Sequence, residues 1–419
     1  MSASPLPAQD RSVQDSLAFL ELVFRDVDKH DFAIRLWDGR TMMPTDGRPA
    51  RFTLVIQHPG ALRRMFESAT ELSLGEAYIY NDYDIEGDIE MAARVGQQLA
   101  AYERPLRERL RLRALLRTLP NMRPSPCRRV SRLQGELHSK TRDRNVVRYH
   151  YDVSNDFYAL FLGRTMVYSD AYFVTPEDDL DKAQTRKLEN ICRGLKLQKG
   201  ERFLDIGCGW GALILHAAQN FGVEALGITL SERQAELARK RIQNAGLERC
   251  CRVEVRDYRD LDGITFDKVA SIGMMEHVGA ENLHGYFGRI RRLLRPGGIF
   301  FNSSIVRPMT EPARRTGSFV EAYVFPDGEL EPLHEILEAA EMAGFEVCST
   351  ENTREHYGLT LRHWLRRLES SADDARCITD DLTYRIWRLY MAGSAARFMD
   401  GKLHAFQSLL AKTDGGPAA

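Results

Sequence analysis

Eight residues near the middle of the chain, LDIGCGWG from Leu204 to Gly211, constrain its fold more than any other stretch. Glycines at 207, 209 and 211 follow the apolar run Arg202–Ile206 and precede the helical pattern Ala212–Phe221. A strand that enters a helix through so tight a turn needs residues without a Cβ, so that the backbone can fold back and approach a ligand. The alternation continues downstream. Val223–Ile228 reads as a strand, and Ser231–Ala245 as a helix opened by a serine N-cap. Val253–Val255 and Lys268–Ile272 read as strands, Leu283–Leu294 as a helix and Gly298–Asn302 as the next strand. Such alternation predicts a doubly wound, mostly parallel α/β sheet of Rossmann-like type.

The glycine spacing is GxGxG, not the GxGxxG of dinucleotide-binding folds. Asp205, just before the turn, can accept from a cationic group. The second strand ends at GITLS (Gly227–Ser231), where Thr229 and Gln234 are placed for a ribose. Asp257, after the third strand, is placed for an adenine amine. These features fit S-adenosylmethionine (SAM), whose amino acid end carries an ammonium; another nucleotide is the alternative. Cys208 and Trp210 read as turn residues.

The 419 residues suggest two or three domains. Residues 1–103 read as a small α+β module, with a helix at Val13–Val27, alternating stretches at Phe32–Leu36 and Phe52–Ile56, and turns at Asp38–Gly39 and Asp46–Gly47. Residues 104–144 read as a basic linker, and 145–419 as the α/β domain, mostly helical from 311 to about 410, with a loop at Gly317–Gly328. The net charge of −1 hides a local bias: from Arg104 to Arg148 there are 14 basic residues against three acidic ones. Within that segment, Arg104–Arg117 interleaves leucines with arginines, which suits an anionic membrane surface. A solvated linker is the plainer reading; no base-reading motif accompanies the run, so nucleic acid is not expected. Seven cysteines without CxxC spacing favour neither disulfides nor a metal site and fit a reducing cytoplasm. The N-terminus has no basic region followed by an apolar core, and no run of 18 uncharged apolar residues occurs, so neither a signal peptide nor a spanning helix is expected.

Four motifs occur in order: HYDVSNDFY (His150–Tyr158), TMVYSDAYF (Thr165–Phe173), the 204–211 turn and MMEHVG (Met274–Gly279). Together they resemble the cyclopropane fatty acid synthase family of SAM-dependent lipid methyltransferases over residues 145 to about 410. The segment Ile386–Phe398 is similar to that family's C-terminal helix. Leu72–Tyr78 and Asp84–Ile89 resemble the lipid-docking domain of its longer bacterial members.

The resemblance implies that an acyl-chain double bond of a membrane phospholipid attacks the SAM methyl. A carbocation follows, and a base removes a proton. Family members hold bicarbonate as that base, through a Cys of YSCAYF, the Glu of EHVG, a His on the following strand and a Tyr further on. By position, Glu276 and Tyr357 are retained, whereas Asp170 replaces the Cys and Ser303 the His. A carboxylate beside bicarbonate would repel it, so bicarbonate is not expected and Asp170 is expected to take part of its role. The product is then a methylene- or methyl-branched unsaturated chain; a cyclopropane, with Asp170 a tolerated variant, is the alternative. Tyr168 and Ser169 match family positions that contact the SAM carboxylate. His277 could hold Glu276. His150, Tyr151 and Asp152 could close over the cofactor, and Phe157, Tyr158, Phe173 and Trp210 could line an acyl tunnel or form ordinary core.

The implied partners are an unsaturated phospholipid and an anionic membrane surface, with the protein peripheral on the inner, cytoplasmic face. A homodimer, as in relatives, and a reductase that finishes a methylene product are left open. A SAM- or lipid-binding protein without catalysis and a methyltransferase for a soluble small molecule are the competing readings.

Overall fold

Two sheets organise the chain, one of four strands and one of seven. The structure is a computed structural model that describes residues 8–25, 31–44, 47–102, 104–122, 135–151, 153–312 and 317–413. It divides into two compact units: Met1–Val130 with Gly317–Val324 and Asp381–Ala396, and Ser131–Thr316 with Phe325–Asp380 and Arg397–Ala419. The second unit is therefore not one unbroken stretch from 145 onward.

In the first unit, Phe32–Arg35 (β1), Thr41–Met42 (β2), Phe52–Ile56 (β3) and Tyr83–Gly87 (β4) form a sheet of order β2-β1-β3-β4. β1 and β3 are parallel, and their aligned Phe32 and Phe52 rings stack at 4.9 Å. The helices are Ala8–Val23 (α1), Ala61–Phe66 (α2), Glu71–Ile79 (α3), Ile89–Ala101 (α4) and Leu106–Thr118 (α5). The first helix thus begins and ends earlier than its apolar pattern suggested, and Asp46 lies outside the described residues. α5 buries Leu112 and Leu116 and leaves Leu106 and Leu110 exposed at 69% and 58%. Arg385, from the Asp381–Ala396 segment, is buried; it donates to the carbonyl of Tyr78 and to Asp84 Oδ2, both at 3.0 Å.

The second unit opens with Lys140–Tyr151 (α6), Asn155–Leu162 (α7) and Leu180–Gly194 (α8). Then come Arg202–Ile206 (β5), Ala212–Phe221 (α9), Glu224–Thr229 (β6), Glu232–Asn244 (α10), Cys251–Val255 (β7), Phe266–Ile272 (β8), Leu283–Leu293 (α11) and Leu294–Val306 (β9). Each strand and helix anticipated between 202 and 302 is present. Ser231 caps α10, accepting from the Gln234 amide at 3.3 Å, a cap that contributes about 1 kcal/mol. β5 through β9 pair in parallel; β6, β7 and β9 are reached through helices, and β8 through a connection that holds only the short turn Tyr258–Asp260.

The region after 311 differs from its helical reading. Besides Leu333–Met342 (α12), Arg354–Ser370 (α13) and Ala372–Ile378 (α14), it holds two strands, Phe345–Asn352 (β10) and His404–Lys412 (β11). They add antiparallel to β9 and complete the order β10-β11-β9-β8-β5-β6-β7. The expected loop at 317–328 carries a short helix, Phe319–Tyr323. The strand order reverses between β5 and β8, and ligands of open α/β sheets bind at such a switch point, beyond the C-terminal strand ends. The glycine turn leaves β5 there.

Candidate active site

Local chemistry fixes the turn. The amides of Gly207 and Cys208 both donate to the Ile228 carbonyl at 2.9 Å, which ties the turn to the end of β6. Gly207, Gly209 and Gly211 have φ of +80°, +53° and +80°, the left-handed region that side chains resist. Gly211 does not line the cavity described below; its Cα instead faces α10, where a Cβ would lie 3.1 Å from Ala238 Cβ. That close approach packs the turn against α10. Burial pushes the Cys208 thiol well up, so it stays a neutral turn residue. Trp210 donates to Asn155 Oδ1 at 2.8 Å.

The turn forms one wall of a cavity of about 430 Å³, within the range of small-molecule sites. Tyr168, Ser169, Asp205, Gly207, Gly209, Thr229, Gln234, Asp257 and His277 all line it. Asp205 is buried, and that burial pushes its carboxyl up to about 7 against the pull of Lys187. Thr229 Oγ1 donates to Gln234 Oε1 at 2.7 Å, which leaves the Gln234 amide nitrogen for a ligand. Asp257 is less free than its position suggested. Its Oδ1 accepts from Arg259 Nε at 2.9 Å and its Oδ2 from a second Arg259 nitrogen at 2.6 Å. Arg259 also reaches Asp143 of α6 at 2.8 Å.

Beside this cavity lies a second buried group. Asp170, 1% exposed, accepts from Gln407 Nε2 of β11 at 3.3 Å. Burial raises its carboxyl, while Lys187, Thr353, His356 and Gln407 draw it back. Glu276 follows β8; its Oε1 accepts the Ile305 amide of β9 at 2.6 Å. Its Oε2 is buried without a hydrogen-bond partner among the described residues. Burial pushes Glu276 up to about 7, and the Asp170 charge adds to that. Ser303 of β9 is buried in register between Ile272 and Gln407. Asp170 comes from the loop between α7 and α8, Glu276 from just past the end of β8, and Ser303 and Gln407 from paired positions of β9 and β11.

Other expected residues take different places. Glu276 is held by Ile305, and no hydrogen bond joins it to His277. His277 is kept neutral, its imidazole pushed down to about 4 by burial first and His138 second. Tyr357 stacks its ring on Phe398 at 4.4 Å. The α13 residue that acts on Asp170 is its neighbour His356. His150 packs on Phe325 with ring centroids 4.0 Å apart. Asp152 and the Tyr151 side chain lie outside the described residues. Phe157 and Tyr158 are wholly buried core, and Phe173 is buried as well.

Sequence reasoning missed Gln184 and Lys187. Both are buried on α8, and they donate to the Ser169 carbonyl at 2.9 Å and to Ser169 Oγ at 2.6 Å. The available signal was their position on the apolar stripe of that helix, with Leu180, Ala183, Leu188 and Ile191.

Among the described residues no helix is long and apolar enough to cross a membrane. Residues 138–408 match the family model described as mycolic acid cyclopropane synthetase, and 19–98 match a domain of unknown function, DUF7884. A probable fatty acid methyltransferase of Pseudomonas putida is 38% identical over 387 residues, covering 90% of this chain and 91% of its own length. The tuberculostearic acid methyltransferase UfaA1 of Mycobacterium tuberculosis is 33% identical, covering 91% of this chain and 87% of its own. The crystal structure of mycolic acid cyclopropane synthase CmaA1, complexed with SAH (S-adenosylhomocysteine) and CTAB, aligns with a TM-score of 0.61 at 30% identity. That alignment covers 64% of this chain and 98% of that one. A match across well over half of the chain, in both sequence and fold, places it in the mycolic acid cyclopropane synthetase (cyclopropane fatty acid synthase) family of SAM-dependent fatty acid methyltransferases.

Proposed function

We propose that this chain methylates the double bond of an unsaturated acyl chain in a membrane phospholipid, with Asp170 and Glu276 as the groups that meet the resulting cation. The observation that carries this reading is the pair itself: two buried carboxylates, one with an unpartnered oxygen, next to a cavity built on a glycine turn. The cavity residues fit SAM, which would supply an electrophilic methyl carbon. Asp205 would accept its ammonium, Gln234 would meet the ribose, and Gly207 and Gly209 would let the backbone approach. The likeness to proteins named as fatty acid methyltransferases supports an acyl substrate.

The chain's own residues act on the lipid. The alkene π pair would bond the methyl carbon as the S–C bond breaks, its electron pair staying on sulfur to release SAH, and positive charge would appear on the neighbouring chain carbon. Buried carboxylates stabilise that charge strongly because no water screens them. Either Asp170 or Glu276 then takes the proton, and the C–H electron pair neutralises the cation. Glu276, pushed up to about 7, is suited to hold that proton at neutral pH. A bicarbonate anion beside both carboxylates would be opposed: a like-charge pair 4 Å apart costs about 4 kcal/mol at an effective dielectric of 20. Base chemistry by Asp170 favours a methylene- or methyl-branched chain. The retained Glu276 and the description of the matching family model favour the second reading, a cyclopropane.

The test is mass spectrometry and NMR of lipid made by the purified protein with and without bicarbonate. The expected result is branched or methylene product at a rate that bicarbonate does not change. A bicarbonate-dependent cyclopropane would contradict it.

Membrane contact is assigned to α5. Leu106, Leu110, Arg113 and Arg117 recur at helical spacing on one face, and all four are exposed. This protein is thus peripheral on an anionic surface. Replacing Arg113 and Arg117 with Gln is expected to weaken binding to anionic vesicles about 30-fold, at about 1 kcal/mol per cation. Wild-type binding should fall as salt rises. Vesicle sedimentation checks both, and salt-independent binding would refute the assignment.

A further inference from the structure

Lys187 is an expensive way to hold a loop. It is 2% exposed, and its Nζ donates to Ser169 Oγ at 2.6 Å. One turn earlier, Gln184 already fixes the same residue through its carbonyl. A neutral side chain would serve as a prop equally well. The lysine instead brings a charge that burial opposes, drawing its ammonium down to about 8 despite Asp170 and Asp205. Among the described residues Nζ makes no ion pair, and its interactions with those two carboxylates act at longer range. Buried charges without a contacting partner cost several kcal/mol, so they persist where a partner arrives. Nζ has three donors and Ser169 takes one. Lys187 lines the cavity alongside Tyr168, Ser169 and Asp205.

We propose that Lys187 is the recognition residue for the carboxylate of the methyl donor's amino acid end. The inference rests on the reading of the cavity as a SAM site. SAM has one anionic group, its α-carboxylate, and beside it an ammonium. Lys187 and Asp205 both line the cavity, near enough for each to shift the other's charge, and they present opposite signs, so the zwitterion and the pair are complementary. Ser169, oriented by Gln184 and Lys187, shares the carboxylate. Lys187 touches the donor away from the reacting carbon, so it is a binding residue and not a catalytic one.

The test uses the full chain and calorimetric binding of two probes: SAH and its decarboxylated analogue, which keeps the adenosine and the ammonium. Wild type is expected to bind SAH about 30-fold more tightly than the analogue, the factor that a hydrogen-bonded charge pair supplies. Lys187→Met should remove most of that preference by weakening SAH alone. Gln184→Ala, which loosens Ser169 without removing the charge, should cost SAH much less than Lys187→Met does and keep most of the preference for SAH; an equal loss of that preference in the two variants would show that Lys187 is only a prop for Ser169. Equal loss of both probes in Lys187→Met would show a structural prop and overturn the proposal. A wild type that does not discriminate between the probes would overturn it without any variant. A wild type that binds neither would instead sink the SAM reading beneath it.

Discussion

Glu276→Gln is expected to lower methyl transfer 10²- to 10⁴-fold, the span of positioned acid–base catalysis, and to make the protein more stable above pH 7. The second effect follows from the sign of the shift. Glu276 rises from 4.5 to about 7 on folding, so the folded state holds the proton more tightly than the unfolded chain. Stability from this group is complete below pH 4.5 and is lost as pH rises through 7. Glutamine reproduces the neutral form and can still accept the Ile305 amide. The gain above pH 7 is on the order of 3 kcal/mol, from 1.4 kcal/mol per pH unit, and it vanishes near pH 4.5. Asp170 and Asp205 act in the same direction. His277 opposes them, because its lowered value withdraws stability as pH falls from 6.5 towards 4. Urea unfolding of wild type and variant at pH 5 and pH 8.5 checks the claim. A variant no more stable than wild type at pH 8.5 would contradict the burial of an unpaired carboxylate oxygen.

Gly227→Ala should cost about 100-fold in SAH affinity and 1–3 kcal/mol of stability. Gly227 stands on β6 directly across from Asp205. Its added Cβ would lie 2.7 Å from Cys208 Sγ, 2.9 Å from Cys208 Cβ and 2.9 Å from Ile214 Cδ1. The isoleucine tip can turn away, but Cys208 cannot, because its amide and that of Gly207 are fastened to Ile228. The turn must therefore lift by a few tenths of an ångström to an ångström. Overpacking of this kind costs 1–3 kcal/mol, and a displacement near 1 Å costs about 100-fold at a functional site. Adding Cys208→Gly removes both fixed clashes and should recover most of the binding. Calorimetry and thermal unfolding of the single and double variants measure it; an undisturbed Gly227→Ala would mean that the turn is not so fastened.

The sequence was most readable where period and chemistry coincide. The strands from 202 to 302 are short apolar runs closed by glycine or a serine cap, and each lies where the pattern put it. The cavity wall from 205 to 209 was legible for the same reason. β10 and β11 were not. Glu346, Ser349, Thr350 and Glu351 give β10 a polar face, and its partner lies more than 50 residues away, beyond a helical stretch. With β11 hidden, so was Gln407, which meets Asp170 only through a three-strand register. Lys187 was missed because a lysine in a helix reads as solvent-facing until its neighbours on the stripe are seen to be buried. Asp257 lines the cavity, but its pairing with the arginine two residues on is visible only in three dimensions. Tyr357 was placed by motif alone, and its ring faces Phe398.

The most direct test supplies the purified chain with methyl-labelled SAM and vesicles of an unsaturated phospholipid, then follows the label by mass spectrometry. The account predicts acyl chains one labelled carbon heavier, formed in step with SAH, and no such product from saturated vesicles. Release of SAH with no label in the acyl chains, or equal labelling of saturated lipid, would contradict it.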